Sequence, residues 1–168
     1  MEFFLASDGK THLKGVARAL GISPHTAQLY LQSYEKDGLL EKERMGNLTL
    51  YGLARNSLTS ELKRLNILAR MQPFAARFMG ENHGVSSLVL YGSHASGEYD
   101  SKSDLDILII YAGKEPKMKV LLELEPQLSK EVKIQALTLA AWKAMEEKNN
   151  KFYNSVIRRH ITIFGASL

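Results

Sequence analysis

Two apolar segments, 88–91 and 107–110, bracket an acidic pair, and this arrangement constrains the fold of the chain more than any other feature. A Gly-Ser pair follows the first segment at once, and Asp104 and Asp106 come directly before the second. Because residues two apart on a strand share a face, both carboxylates are expected to point to the same side. Burying a carboxylate is costly unless it is paired. The pattern therefore predicts a sheet with an open acidic site beside it.

Length and composition allow one ordinary domain or two small ones, since the chain has 168 residues and 45% apolar side chains. No apolar run approaches the roughly 20 residues that a membrane helix needs, and the first six residues lack the features of a signal peptide. We therefore expect a cytoplasmic protein with no membrane partner. The sequence contains no cysteine, which excludes disulfides and thiolate metal sites.

The net charge of +4 is spread evenly along the chain. Lys and Arg outnumber Asp and Glu by 7 to 6 in residues 1–58, by 4 to 2 in residues 59–84 and by 11 to 10 in residues 85–168. No segment is a strongly basic arm. Contacts to phosphate must therefore come from individually placed residues rather than from a bulk field.

Two short helices are predicted near the start of the chain. Apolar residues at spacings of 3, 1 and 3 indicate one helix over 11–20, and a second is expected over 24–37. Between them, Gly21 suits a helix C-cap, Ser23 an N-cap and Pro24 a first helical position. Two helices joined by a short turn with a glycine are typical of a helix-turn-helix.

A β-hairpin is predicted next, because 39–44 and 48–51 alternate on either side of a Gly-Asn turn. Helix, turn, helix and hairpin is the order of winged helix-turn-helix proteins, and residues 1–55 resemble that family. The resemblance implies a partner in duplex DNA. A module used only for protein contact is the alternative, since the outer face is not very basic. The candidate DNA contacts are His25, Thr26, Gln28, Gln32, Lys42 and Arg44.

The rest of the chain is predicted to be a connecting helix and an α/β domain. A helical pattern over 59–78, assigned to a connector at 56–82, contains Pro73, which is expected to kink or end the helix. Beyond it, strands and helices alternate, so the fold class is α+β, with helices packed on a mixed sheet and Trp142 in the core. The strands are predicted at 87–91, 105–111, 132–137 and 161–164, and the helices at 117–128, 139–148 and 151–160.

The Gly-Ser turn and the acidic pair together indicate nucleotide chemistry. Gly92 allows close backbone approach and Ser93 adds a hydroxyl beside an amide, so this turn can hold phosphate oxygens. Asp104 and Asp106 are hard oxygen ligands, which Mg²⁺ takes together with substrate phosphates. Either feature alone is as well explained by a plain turn or a solvated strand edge. His94 lies in the same loop, either as a phosphate donor or as an incidental, partly exposed histidine.

Gly92-Ser93, ten intervening residues and Asp104-Leu105-Asp106 resemble the signature of the polymerase-beta-like nucleotidyltransferases. The likeness is to their minimal nucleotidyltransferase family, which includes antitoxins paired with HEPN toxins. It covers about residues 80–168, and the domain is assigned to 83–168. The resemblance implies a nucleoside triphosphate held by Gly92, Ser93 and His94, with Asp104 and Asp106 as catalytic residues and ligands of Mg²⁺ or Mn²⁺. Two metals would then assist nucleotidyl transfer to a protein or small-molecule hydroxyl.

The chain departs from the family pattern at two positions. Family members commonly carry an arginine where this chain has Ser96. Active relatives also carry a third carboxylate on the next strand, where this chain has Lys133 and Gln135; Glu131 is the available substitute. Losing a metal ligand or the groups that support it typically costs 10 to 100-fold in metal affinity or activity. Lys133 could instead pair with an aspartate and replace the charge of the metal.

Two functional hypotheses follow. The first is a DNA-binding nucleotidyltransferase that binds a nucleoside triphosphate with Mg²⁺. The second is a non-catalytic transcriptional regulator or antitoxin whose degenerate transferase domain binds a ligand or a partner. A HEPN-type toxin is the protein partner that the resemblance implies, and the apolar face of the connecting helix favours a homodimer.

Overall fold

The computed structural model describes residues 1–6 and 9–168, which form two compact units, Met1–Leu62 and Lys63–Leu168. The first unit has one apolar cluster, and the second has two, one on each face of its sheet. None of the helices in the described ranges is long and apolar enough to cross a membrane.

The first unit consists of short helices and a three-stranded antiparallel sheet, in the strand order β1–β3–β2. The two helices and the hairpin lie where the sequence pattern predicts them, except that residues 11 and 12 pair with β3 instead of starting the first helix. The elements are α1 Glu2–Leu5, β1 Thr11–His12, α2 Leu13–Leu20, α3 Pro24–Lys36, β2 Leu40–Met45 and β3 Leu48–Leu53.

Local chemistry explains where α2 ends and α3 begins. Gly21 has φ 62°, a left-handed conformation that costs glycine little and ends α2. Ser23 caps α3, because its hydroxyl accepts a hydrogen bond from the Thr26 amide at 3.0 Å. Ala27 and Leu31 are buried, as the helical spacing predicts, and the cluster is completed by residues of α1, α2 and β2. Leu20, whose spacing places it on the apolar face of α2, is instead 47% exposed.

The long helix α4, Ser57–Glu81, runs from the first unit into the second. The helix continues past Pro73, so the end predicted as one alternative at this proline is not present. Proline lacks an amide and crowds the preceding turn. Met71, Ala75 and Phe78, on either side of it, are at most 1% exposed, and their burial offsets the lost hydrogen bond.

The second unit is built on a four-stranded sheet in the order β6–β5–β4–β7. Strands β5 and β6 are parallel and the other pairs antiparallel, so the predicted mixed sheet is confirmed. The helix predicted over 117–128 is two short helices, because Pro126 has no amide to donate to the preceding turn. The elements are β4 Val85–Tyr91, α5 Gly92–Ser96, β5 Leu105–Tyr111, α6 Lys119–Leu122, α7 Leu124–Leu128, β6 Val132–Thr138, α8 Leu139–Glu147, α9 Lys151–Arg158 and β7 His160–Gly165.

The two faces of this sheet are covered differently. Leu105, Ile107 and Ile109 face one cluster, together with residues of α4, α6 and α7. On the other face, Leu108 and Ile110 pack with residues of α8 and α9, including Trp142, which is buried as predicted. The cluster formed with α8 and α9 does not extend to the end of the sheet where β5 begins. The polar residues on that end of the face therefore stay partly open to solvent.

Candidate active site at one edge of the sheet

One edge of the four-stranded sheet brings together residues that are distant in the sequence. β4 ends there at Tyr91, and β5, β6 and β7 begin there. Tyr91 is the register partner of Asp106 on one side and of His160 on the other. Asp106 is in turn the partner of Lys133. Since register partners share a face, a phenol, a carboxylate and an ammonium group lie side by side.

Gly92 meets two constraints at this edge. Its φ of 71° lies in the left-handed region, where a side chain is strained. A Cβ placed on it would lie 2.5 Å from Oδ2 of Asp106, closer than atoms can approach. The Asp106 carboxylate thus occupies the space beside Gly92 that a side chain would need. The absence of a side chain at Gly92 lets Asp106 lie against the start of α5.

A hydrogen-bonded turn follows Gly92. The carbonyl of the half-buried Ser93 accepts hydrogen bonds from the Ser96 hydroxyl at 3.1 Å and from the Glu98 amide at 3.0 Å. The Ser96 hydroxyl also lies 3.1 Å from Oε2 of Glu98. These hydrogen bonds join the two ends of the turn and fix the position of Ser93.

Arg159 brings a positive charge to this turn. Its guanidinium donates to Oε2 of Glu98 at 2.7 Å, the same oxygen that Ser96 contacts. Ser96 is the position where the family resemblance expects an arginine. The Arg159 side chain is 63% exposed, and the pairing of β7 with β4 carries it to this turn.

An ion pair joins the acidic pair to the neighbouring strand. Lys133 Nζ lies 2.5 Å from Oδ2 of Asp104, with the two side chains 54% and 32% exposed. This hydrogen bond, with the charge of Asp104, raises the pKa of Lys133. The sequence leaves open whether this lysine pairs with Asp104 or with Asp106, and the structure selects Asp104.

Asp106 has a different environment from Asp104. Burial raises the pKa of Asp106 above its ordinary value, the charge of Lys133 lowers it and the charge of Asp104 raises it again. Burial likewise raises the pKa of Tyr91, and the nearby Asp106 adds to this effect. The two carboxylates are therefore unequal: Asp104 is engaged by a cation, and Asp106 lies partly buried between Tyr91 and Lys133.

His94 is not the partly exposed loop residue that the sequence suggests. It lies in α5 with no exposed surface, and its ring stacks on Tyr99 with centroids 4.1 Å apart. Burial lowers the pKa of His94 to about 4, and the charges of Lys130 and Lys63 act in the same direction against a smaller opposing effect of Asp104. A direct hydrogen bond from this ring to a phosphate requires His94 to leave its buried position.

The donor set at this edge does not fit the two-metal arrangement that the family resemblance implies. The family generally uses a divalent metal. Within residues 1–6 and 9–168, no three His, Cys, Asp or Glu side chains gather into a metal-binding group. Two carboxylates are present, and one of them is bonded to Lys133. Glu131 is exposed, immediately precedes β6 and does not complete the set.

The candidate DNA contacts lie on α3 and β2 of the first unit. His25, Gln28 and Gln32 are exposed on α3, whereas Thr26 is half-buried with its hydroxyl 2.8 Å from that of Ser23. The Thr26 hydroxyl is thus engaged with the residue that caps α3.

The two basic candidates on β2 differ from each other. Lys42 Nζ lies 2.5 Å from Oε1 of Glu35, so its charge is compensated within the unit. The side chain of Arg44 is exposed. On the same strand, Glu41 and Glu43 both bond to Lys10, at 2.9 and 2.7 Å.

Several solved structures resemble this chain at low identity. A proposed nucleotidyltransferase from Sulfolobus solfataricus is 16% identical over 64% of this chain and 88% of that one, with a TM-score of 0.38. A toxin–antitoxin structure with AMP-PNP and a mutant of the toxin–antitoxin MntA-HpeT are 14% and 13% identical. Each covers 57% of this chain and 74% of its own, with TM-scores of 0.40 and 0.39.

Comparison with curated proteins found no match. The family model of the nucleotidyltransferase domain matches residues 75–163, just over half of the chain. This range includes the Gly92–Ser93 turn, the acidic pair and all four strands of the sheet up to Ile163. The chain therefore belongs to the nucleotidyltransferase-domain family.

Proposed function

We propose that this protein is a DNA-binding regulator whose nucleotidyltransferase domain binds a nucleoside triphosphate without sustained nucleotidyl transfer. In this proposal residues 1–55 are a winged helix-turn-helix module, residues 56–82 a connecting helix and residues 83–168 the nucleotidyltransferase domain. The observation that carries it is the ion pair between Lys133 and Asp104, at 2.5 Å. An ammonium group stands where the family resemblance calls for a third carboxylate.

Triphosphate binding is assigned to the turn at Gly92 and Ser93. The hydrogen bonds that close this turn hold it in one conformation, which reduces the ordering cost of binding. Arg159 provides a guanidinium beside it, and this group suits phosphate because it donates in a planar fork.

Replacing Arg159 tests this assignment. We expect Arg159→Gln to weaken the binding of a non-hydrolysable nucleoside triphosphate by roughly tenfold, since one charge-assisted hydrogen bond contributes about 1.5–3 kcal/mol. Isothermal titration calorimetry measures the change. Arg158→Gln is the matched control, because this exposed neighbour carries the same charge. Equal effects of the two substitutions would contradict the assignment.

DNA binding is proposed for the exposed polar face of α3 and for Arg44. Since Lys42 is already paired with Glu35, Arg44 is the better candidate for a phosphate contact from the hairpin. Retention of duplex DNA should fall steeply with salt concentration, and Arg44→Gln should reduce the salt slope by about 1. Lys36→Gln, at the far end of α3, is the charge-matched control. Retention that is absent, or unaffected by salt, argues for a module that contacts only protein.

An active nucleotidyltransferase is the second candidate. One observation favours it: the Asp106 carboxylate lies against Gly92, as expected for a metal ligand beside a phosphate-binding turn. Asp104 lies two residues before Asp106 in the sequence. Incubation with labelled nucleoside triphosphates and Mg²⁺ distinguishes the two proposals, with Asp104→Asn/Asp106→Asn as the control. Bound nucleotide without label transfer supports the regulator. Transfer that the double substitution abolishes supports the enzyme.

Two partners complete the proposal. The family resemblance supports a HEPN-type toxin. A homodimer is supported by Leu65 of α4, a large apolar side chain that is 64% exposed. Light scattering of the purified chain, alone and with a candidate toxin, measures both associations.

A further inference from the structure

The neighbours of Asp106 on its face of the sheet determine what can bind there. Its two register partners are Tyr91 on β4 and Lys133 on β6. Neither side chain is a carboxylate, and the next residue of β6 on that face is Gln135. The sheet therefore places a phenol and a cation beside the acidic pair.

Lys133 already does part of what a bound metal ion would do. It bonds to Oδ2 of Asp104 at 2.5 Å and is the register partner of Asp106 on the neighbouring strand. A divalent ion held by the same carboxylates would have to displace this hydrogen bond and would be repelled by the ammonium charge.

We propose that Lys133 is an internal counter-ion that closes the Asp104–Asp106 pair to divalent metal ions, and that Lys133→Glu converts the pair into a metal site. This proposal extends the proposed function, and only its prediction about nucleotide affinity rests on that function. Binding of the metal can be measured in the absence of any nucleotide, so failure of one is distinguishable from failure of the other.

Titration with Mn²⁺ tests the proposal, because the free ion has an electron paramagnetic resonance signal that is lost on binding. The natural chain should leave the signal of sub-millimolar Mn²⁺ unchanged. Lys133→Glu should bind one Mn²⁺ per chain, and Asp104→Asn in that background should abolish the binding. Stoichiometric binding by the natural chain that requires Asp104 would overturn the proposal.

Two further variants separate the charge of Lys133 from the addition of a carboxylate. Gln135→Glu adds a carboxylate to the same strand while Lys133 stays in place, and it should not bind Mn²⁺. Lys133→Gln removes the counter-ion without adding a ligand, and it should bind Mn²⁺ more weakly than Lys133→Glu. Circular dichroism shows that each variant is folded. If Lys133→Glu is folded and does not bind, or if it is unfolded and Lys133→Gln does not bind, the proposal fails.

The nucleotide provides a second measurement. For the natural chain, the affinity for a non-hydrolysable nucleoside triphosphate should change less than about threefold between Mn²⁺ and chelator. For Lys133→Glu it should rise by about 10 to 100-fold when Mn²⁺ is added, the range over which changes around a metal ligand typically alter affinity. A natural chain whose nucleotide binding requires Mn²⁺ bound at Asp104 would overturn the proposal.

Discussion

His94 is a fully buried histidine whose charged neighbours are two lysines, Lys130 and Lys63, and one carboxylate, Asp104. Its ring stacks on Tyr99, and Lys63 lies over the same tyrosine with its Nζ 4.4 Å from the ring centroid. Among the described residues, its two ring nitrogens have no hydrogen-bond partner of good geometry, so stacking on Tyr99 is the main contact that holds the ring. The residue that the motif predicts beside phosphate is thus packed inside the second unit.

The pKa of His94 predicts a pH dependence of stability. Its folded value is about 4, against an ordinary value near 6.5, so between these values the unfolded chain binds a proton that the folded chain excludes. The free energy of unfolding should therefore fall as the pH falls through this window, by up to about 3 kcal/mol. Urea unfolding at pH 7 and pH 5 measures it. His94→Phe keeps the stacking and should lose less stability than the natural chain; an equal loss contradicts the prediction.

At the scale of the element, the start of α4 depends on one buried hydroxyl. The Asn56 side chain accepts from the Thr59 amide at 3.0 Å, and the Thr59 hydroxyl accepts from the Asn56 amide at 3.2 Å, a reciprocal capping box. The same hydroxyl donates to the carbonyl of Ala54 at 2.5 Å, and Thr59 is only 2% exposed. The cap therefore ties the helix to the end of β3.

Thr59→Val removes this hydroxyl and keeps the shape of the side chain. We expect it to lower the free energy of unfolding by about 1–3 kcal/mol, because the Asn56 amide and the Ala54 carbonyl lose a partner. Thr59→Ser keeps the hydroxyl and should cost less. Urea unfolding followed by circular dichroism compares the two variants, and equal losses would show that the lost methyl contact matters more than the hydrogen bonds.

Elements were predictable where the signal is local. The caps at Gly21 and Ser23 and the buried strand at 105–111 follow from backbone preference and short-range pattern, and the structure confirms them. The course of α4 past Pro73 was not predictable, because burial of residues on both sides decides it. Burial depends on what packs against the helix, which a local pattern does not contain.

At the scale of the whole molecule, the two compact units have separate cores. Leu31, on α3, is 1% exposed in the cluster of the first unit, and Leu108, on β5, is fully buried in a cluster of the second. Because each core buries its own side chains, damage to one is expected to loosen the unit that contains it more than the other.

Hydrogen exchange measured by mass spectrometry tests this expectation. Leu31→Ala should accelerate exchange mainly in residues 9–62, and Leu108→Ala mainly in residues 63–168, since each removes about 2–5 kcal/mol of packing energy. If either substitution accelerates exchange equally in both units, the chain unfolds as one cooperative body.

The sequence alone determined the order of the elements, the mixed α/β character of the second unit and the identity of the acidic pair, because these depend on residue spacing and local preference. The tertiary structure decided which residues meet. The register of β6 against β5 brings Lys133 to Asp104, and the pairing of β7 with β4 brings Arg159 to the turn after Gly92. Strand pairing joins residues that are distant in the chain, and its order is set by packing of the whole sheet rather than by any one segment.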